Sequence, residues 1–412
     1  MLEYEQQQQQ QLKYDLFRAY YDARRNKRHT WNQLRFEIEY ERNLLLMWER
    51  ILNRTYEIKK SIAFIVNHPV KREIFAADFS DRVVHHLIFN YINPLLEPQF
   101  IADSYSCRTG KGTHYGVQRV AGFMQACSEN YTRDCYILKL DLKGYFMAIN
   151  KHLLLQKLQT MLDAVRYIPF DAEDSSFCWN DSLDFDLLWW LIEKVVWNDP
   201  TQSCIIKGIR SDWNGLPPTK SLFCTAPDSG LPIGNLTSQL FSNVYLHDFD
   251  HYMKTDLNMT YYGRYVDDII MLHNDKRALL DTIQHVRDYL TEHSAVRLHP
   301  NKIYLQHYSK GVAFLGVYIK PHRCYINNRT KRKFFHAVKE IDVNLATDEA
   351  SLKDIITVRA KLNSYLGILK HYRTYNIKDE ALTQHNKFYK YGYLGTHYSK
   401  YCVFRKYTKT VL

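Results

Sequence analysis

Two aspartates side by side in an apolar run constrain this chain more than any other feature. From 264 to 272 the sequence reads Arg264, Tyr265, Val266, Asp267, Asp268, Ile269, Ile270, Met271, Leu272, and its aromatic and β-branched content predicts a strand. Adjacent like charges in a strand are unfavourable unless a cation or a tight turn relieves them. A matching anomaly lies far upstream. Between 135 and 146, Leu138, Leu140 and Leu142 alternate with Ile137, Lys139 and Asp141, the period of a strand with one buried face. Two strands that bring Asp141 and Asp267 together would form a hard-oxygen site suited to Mg²⁺, where one or two carboxylates suffice and water and phosphate complete the shell. Successive strand residues face opposite ways. Asp267 is therefore expected to be the indispensable partner of Asp141, with Asp268 secondary or capping a hairpin turn.

The remaining elements follow from periodicity. Residues 12–53 lack Pro and Gly and carry apolar residues at helical spacing, which predicts two helices; the glutamines at 6–11 read as a frayed tail or a helix start. Strands are expected at 61–67 and 72–77, and helices at 83–96, 184–196, 237–254 and 276–293. The stretch 198–230 collects Pro, Gly, Ser, Asn and Asp and reads as a long loop or insertion. A small hairpin is expected over 311–319 and 324–326, and two or three helices near 330–346, 350–371 and 377–392. The sum is a mixed α+β core with an appended helical domain.

Charge separates the ends of the chain. The whole carries +11, yet 320–412 alone holds 19 Lys and Arg against 7 Asp and Glu, so the rest is nearly neutral. That basic tail also holds ten tyrosines, which suits a polyanion with stackable bases, although a solvated helical face would look the same. Eight cysteines are scattered without a C-x-x-C pair, reading as reduced packing residues. No run approaches 18 apolar residues and no signal peptide is apparent, so a soluble intracellular protein without membrane partners is expected.

Tyr265-Val266-Asp267-Asp268, with the stretch from Leu140 and Asp141 to Tyr145 and Phe146 upstream, resembles the palm of a reverse transcriptase. Between them, 230–239 occupies the place of the family's third palm motif, usually Gly-x-Pro-Gln-Gly-x-x-x-Ser-Pro, but with Ile233 for the Gln and Gln239 for the final Pro. Those two departures resemble the reverse transcriptases of diversity-generating retroelements, within the group II intron-like superfamily. Segments 72–84, 103–113, 298–302 and 313–316 resemble further family motifs, so the likeness covers roughly 60–320 in the right order.

The resemblance implies a right-hand polymerase of α+β class. Its parts would be an N-terminal helical region (1–53), fingers (54–134), a palm of antiparallel sheet backed by helices (135–319, with fingers or insertion near 150–230) and a basic helical thumb (320–412). It implies RNA-directed DNA synthesis by two Mg²⁺ ions, with Mn²⁺ as a substitute, held by Asp141, Asp267 and Asp268. Arg72 and Arg108 would grip the triphosphate, Arg82 ranking below them. Phe146 would exclude a 2′-hydroxyl, Gly234 would let the backbone approach the nascent base pair, and Lys302 would lie near the departing pyrophosphate. Ser238 and Asn243 are surface hydrogen-bonders or packing residues. Replacing a polar Gln by Ile233, beside Gln239, implies low fidelity at template adenines.

Implied partners are template RNA, a cDNA or DNA primer, deoxynucleoside triphosphates and a ring-forming small basic accessory protein, in the cytoplasm of a bacterium or from a phage. The alternatives are a retron, abortive-infection or intron-type reverse transcriptase, or a catalytically silent nucleic-acid scaffold.

Overall fold

The computed structural model describes residues 2–25, 30–67, 70–165, 184–345 and 350–407. The chain divides into two compact units, one formed by Met1–Gly112, Leu138–Met271 and Arg277–Tyr304, the other by Thr113–Ile137, Leu272–Lys276 and Leu305–Leu412.

The first unit opens with three helices where two were expected: α1 (Leu2–Arg24), α2 (Trp31–Glu37) and α3 (Tyr40–Leu52). The glutamines lie inside α1, in keeping with Gln's good helix propensity. Leu12, Leu16, Ala19, Tyr20 and Ala23 bury one face of α1, and the Tyr91 hydroxyl donates to Asp15 at 3.0 Å from a later helix. Strands β1 (Ile62–Val66) and β2 (Arg72–Ala76) pair antiparallel, Ile62 opposite Ala76 and Val66 opposite Arg72. Helix α4 (Phe79–Leu96) follows, capped by Asp78, whose side chain accepts from the Ser80 N–H. In the second unit, α5 (Thr113–Cys127) leads toward β3 (Tyr136–Asp141). In β3, Leu138 and Leu140 are buried while Lys139 and Asp141 on the other face are only partly covered, as the alternation predicts, with Ile137 buried in addition.

A short α6 (Tyr145–Ala148), α7 (Lys151–Asp163) and α8 (Phe185–Trp197) come next. Gly144, just before α6, sits at φ +57°, and a Cβ there would meet the Thr219 carbonyl at 2.5 Å; only glycine fits. The presumed insertion at 198–230 is built into the fold. Its strand β4 (Ile205–Ile206) adds parallel to β1, with Ile62 opposite Ile205, and the buried carboxylate of Glu73 holds the rest, as described below.

The single helix expected at 237–254 is two, α9 (Leu236–Tyr245) and α10 (His247–Thr255), broken at Leu246 (φ −104°, ψ 12°). The break separates a helix buried on nearly every side from an amphipathic one that turns Phe249, Asp250 and Met253 inward. The run 264–272 is likewise a hairpin and not one strand: β5 (Tyr261–Tyr265) and β6 (Asp268–His273) joined by Val266 and Asp267. These strands lie beside β3 in the order β5-β6-β3. Helix α11 (Lys276–His293) matches expectation and buries Leu279, Ile283, Val286 and Leu290.

In the second unit, past β7 (Tyr304–His307), strands β8 (Val312–Phe314), β9 (Val317–Lys320) and β10 (Arg323–Ile326) form an antiparallel sheet. Three helices follow: α12 (Asn328–Asn344), capped by Asn327, α13 (Leu352–Leu369), with a Ser351–Asp354 capping box, and α14 (Tyr375–Gln384). The helix expected at 377–392 stops eight residues early, because the chain turns into a hairpin of β11 (Gly392–Leu394) and β12 (Tyr401–Val403). Phe334, Val338, Leu362, Leu366, Phe388 and Tyr401 form this unit's core. The α+β class expected from the sequence is what the structure has. Among the described residues no helix is long and apolar enough to cross a membrane.

Candidate active site

The site is made where β3 ends and the β5–β6 hairpin turns. The Leu142 N–H donates to the Asp267 carbonyl at 3.2 Å, which ties the residue after Asp141 to the hairpin tip. The segment 297–302 runs along the same end: the His299 N–H donates to the Asp141 carbonyl and the Lys143 N–H to the Arg297 carbonyl, each at 2.8 Å. From that segment Lys302 Nζ reaches Asp141 Oδ1 at 2.8 Å. Lys139 Nζ, on β3 itself, meets Asp268 Oδ1 of the neighbouring β6 at 2.9 Å.

Asp267 is the carboxylate under stress. Burial first, then the charges of Asp268 and Asp141, push its pKa up to about 6, and the Arg72 guanidinium partly offsets them. Arg72 therefore acts electrostatically on this site, from the start of β2. Two negative neighbours around a buried carboxylate make a place where a cation is favourable. Among the described residues no three or more His, Cys, Asp or Glu side chains form a ready-made ion cage. Lys302 engages Asp141 and Lys139 engages Asp268, while Asp267 feels the charges of both carboxylates, and one or two carboxylates are as many as a phosphate-bound Mg²⁺ needs.

The hairpin tip is strained. Val266 has φ +55°, a left-handed conformation that a β-branched residue rarely adopts. Strain persists only where the surroundings over-determine it, and beneath this turn they do. Arg264, wholly buried, grips Asp250 with two bonds, Nε to Oδ1 at 2.7 Å and Nη2 to Oδ2 at 2.6 Å. Its Nη1 donates to the Val266 carbonyl at 3.1 Å, and Tyr262 adds a 2.6 Å hydroxyl bond to Asp250 Oδ1. Sequence reasoning did not single out this network. Its signal was an arginine in an apolar strand with an aspartate fourteen residues earlier.

A second, apolar zone holds Phe146 and Ile233. Both pack on one cluster with Ala63, Phe75, Met147 and Leu222, joined by Cys204, Ile206 and Trp213 from 198–230. The Phe75 N–H donates to the Ile233 carbonyl, and the Leu231 N–H to the Phe146 carbonyl, each at 2.9 Å. Buried Glu73 fixes the wall of this zone: it accepts from Trp213 Nε1 at 2.6 Å, Ser221 Oγ at 2.7 Å and the Leu222 N–H at 2.6 Å. This anchor was also missed.

The other expected residues sort as follows. Gly234 (φ +129°) does need to be glycine, but the close approach is to β2, where a Cβ would lie 2.9 Å from Ile74 Cγ2. Arg108 has its fork committed elsewhere: Nε to Glu97 Oε1 at 2.8 Å, Nη1 to the carbonyls of Ile101 (2.6 Å) and Ser104 (3.0 Å), and Nη2 to the Glu97 carbonyl at 3.3 Å. It braces the turn after α4. Gln239 is exposed on α9, whereas Ser238 is buried. Asn243, also buried, exchanges two hydrogen bonds with Ser106, 3.1 and 2.9 Å.

Residues 200–319, which include Ile233, Gln239, Asp267, Asp268 and Lys302, match the sequence model of the family described as reverse transcriptase (RNA-dependent DNA polymerase). Protein YkfC of Escherichia coli (strain K12) is 22% identical over 268 residues, 57% of this chain and 60% of that protein. The similarity thus spans less than two thirds of that relative's length. Among solved structures, apo telomerase from Candida tropicalis is similar at 11% identity and a TM-score of 0.48, covering 80% of this chain and 58% of that one. Telomerase from Candida albicans, solved with a fragment of telomeric RNA, gives 10% identity and a TM-score of 0.43 over 80% and 55% of the two chains.

Proposed function

We propose that this chain is an RNA-directed DNA polymerase, with the sheet around Asp141 and Asp267 as its palm, β1–β2 within its fingers and the basic C-terminal helices as its thumb. The observation that carries the reading is the convergence of the Asp141 strand end with the strained Val266–Asp267 turn, inside a chain with a reverse-transcriptase segment. Divalent ions bound there, Mg²⁺ or Mn²⁺, would supply Lewis-acid stabilisation of an entering 3′-oxygen and a departing pyrophosphate. The chain's own groups do the rest. Asp141 and Asp267 would hold those ions, since carboxylates without a cation repel a phosphate. Lys302, already on Asp141 at 2.8 Å, has the reach to exchange that carboxylate for a phosphate oxygen. Arg72 contributes fixed positive charge, and Phe146 limits the room beside the sugar. Arg108, engaged by Glu97 and three carbonyls, supports the fold around the substrate without gripping it.

The finer reading is an error-prone enzyme of the diversity-generating type, working with a template RNA, a DNA primer and a ring of small basic accessory protein in a bacterial cytoplasm. Its support is Ile233, an apolar side chain on the same cluster as Phe146, at the place where a polar glutamine is usual. A site with fewer polar contacts discriminates less well between right and wrong pairs. The test is primer extension on a defined RNA with Mg²⁺, with and without accessory protein, followed by a per-base error count of the cDNA. Extension lost in Asp267→Ala supports the polymerase reading, and errors concentrated at template adenines support the finer one. Extension that survives Asp267→Ala, or an even error spectrum, rejects the first or the second respectively.

A further inference from the structure

The stretch 386–407 of the second unit has a composition unlike the rest of the chain: five Lys and Arg, no Asp or Glu, and eight aromatic residues. Part of that aromatic content is structural. Phe388, Tyr391 and Tyr401 are buried in the unit's core, and Leu394 and Val403 pack against it. The hairpin register then sorts the remainder. In β11–β12, Tyr393 lies opposite Cys402 and Leu394 opposite Tyr401. Side chains alternate between faces, so Tyr393 stands on the face turned away from that core.

Tyr393 is 52% exposed, and Phe404, one residue past β12, is 37% exposed. Their rings lie 6.0 Å apart with planes inclined by 34°. Tyr389, 41% exposed, belongs to the same segment. Tyr389 rests on the core ring of Phe388, with centroids 4.6 Å apart, whereas Tyr393 and Phe404 pair with each other. The same segment exposes Lys387, Lys390, Lys400, Arg405 and Lys406, with Lys390 over the Tyr391 ring and Lys406 over the Tyr407 ring. Asp342 accepts from the Lys387 backbone N–H at 2.8 Å and Asp379 from the Tyr398 hydroxyl at 2.6 Å, so neither bond uses a lysine side chain.

We propose that the face carrying Tyr393 and Phe404 binds unpaired nucleotides of a single-stranded nucleic acid, with bases stacked on the two rings and phosphates against the surrounding lysines and arginines. A duplex keeps its base faces stacked inside, and its phosphates and groove edges do not call for exposed aromatic side chains. Unpaired bases expose π-faces, and rings interleaved with cations are what such strands require. The proposal stands whether or not the chain polymerises DNA.

The test is fluorescence anisotropy on the full chain with a labelled ten-nucleotide polyuridine, its polydeoxythymidine counterpart and a labelled duplex of equal length. The two single strands are titrated beside an excess of unlabelled blunt-ended duplex that fills any duplex site, and the labelled duplex is titrated alone. Tyr393→Ala/Phe404→Ala is expected to weaken single-strand binding by at least about tenfold, while duplex affinity, melting temperature and any primer extension stay at wild-type values. Tyr393→Phe keeps a stacking ring and is expected to bind as wild type does. A loss confined to polyuridine marks the ligand as RNA, and an equal loss on both strands marks it as either polymer. Unchanged single-strand affinity in the double variant overturns the proposal, as does an equal loss on the duplex.

Discussion

The hairpin that carries Asp267 and the pocket that holds Ile233 are kept in place by opposite means. Under the hairpin, a fully buried Arg264–Asp250 pair with Tyr262 fixes one carbonyl of a strained turn. Around Ile233, apolar packing does most of the work and one carboxylate, Glu73, ties down the wall. A buried ion pair has one good geometry and fails abruptly when a partner is lost. An apolar cluster yields gradually, since volume-conserving changes cost little. The lesson is mechanical: the hairpin that carries Asp267 is held rigidly and fails abruptly, while the wall around Ile233 is forgiving.

The comparison breaks most visibly at Arg264. Arg264→Met leaves Asp250 buried and unpaired and is expected to cost about 3–5 kcal/mol, read by urea unfolding. Adding Asp250→Leu should restore most of that stability, yet not primer extension, because the Val266 carbonyl still lacks its donor. Recovery of full activity in the double variant would mean that the network serves stability alone.

Next in size is Asp267→Asn. Its carboxyl is raised to about 6 from 3.8, mainly by burial, so ionisation opposes folding. The penalty is absent below the unfolded value, grows between the two, and is complete above about pH 6. In metal-free buffer Asp267→Asn should therefore be more stable than wild type by about 2–3 kcal/mol at pH 8, with the gap closing toward pH 4. Excess Mn²⁺ should also narrow it, by relieving the wild-type repulsion.

Glu73→Gln comes third. Glutamine offers one acceptor oxygen where three donors now converge, so about 1–3 kcal/mol is expected to be lost. The error spectrum of the cDNA should change with it, whereas Arg264→Met should slow synthesis without altering which errors occur. The smallest expected effect is that of Ile233→Gln: stability within about 1 kcal/mol of wild type, but fewer errors at template adenines. An unchanged error count there removes Ile233 as a fidelity determinant.

What could be read in the sequence divides along similar lines. Asp141 and Asp267 were legible because each breaks a local hydrophobic pattern, and such patterns need only neighbouring residues. The hairpin was legible only in part: a turn capped by Asp268 was one of two readings, but Val266 and Asp267 lack the Asn or Gly that usually marks a turn, and strain held from below leaves no local trace. Glu73 was hidden for a related reason: its three partners lie 140 to 149 residues away. The segment holding them was read as an insertion from its Gly, Pro and Ser content. Arg108 shows the converse error, a motif position read as a phosphate grip whose guanidinium serves Glu97 and nearby carbonyls. In the tail, Gly392 and Gly395 signalled the end of the helix, but the preceding apolar spacing outweighed them.

The central claim is that the carboxylates at 141 and 267 share a divalent ion, and electron paramagnetic resonance of Mn²⁺ tests it without depending on turnover. Wild-type protein should remove free Mn²⁺ signal in a saturable way, and Asp141→Ala and Asp267→Ala should each abolish most of that binding while keeping the fold. If either variant binds Mn²⁺ as wild type does, the two side chains do not form one site.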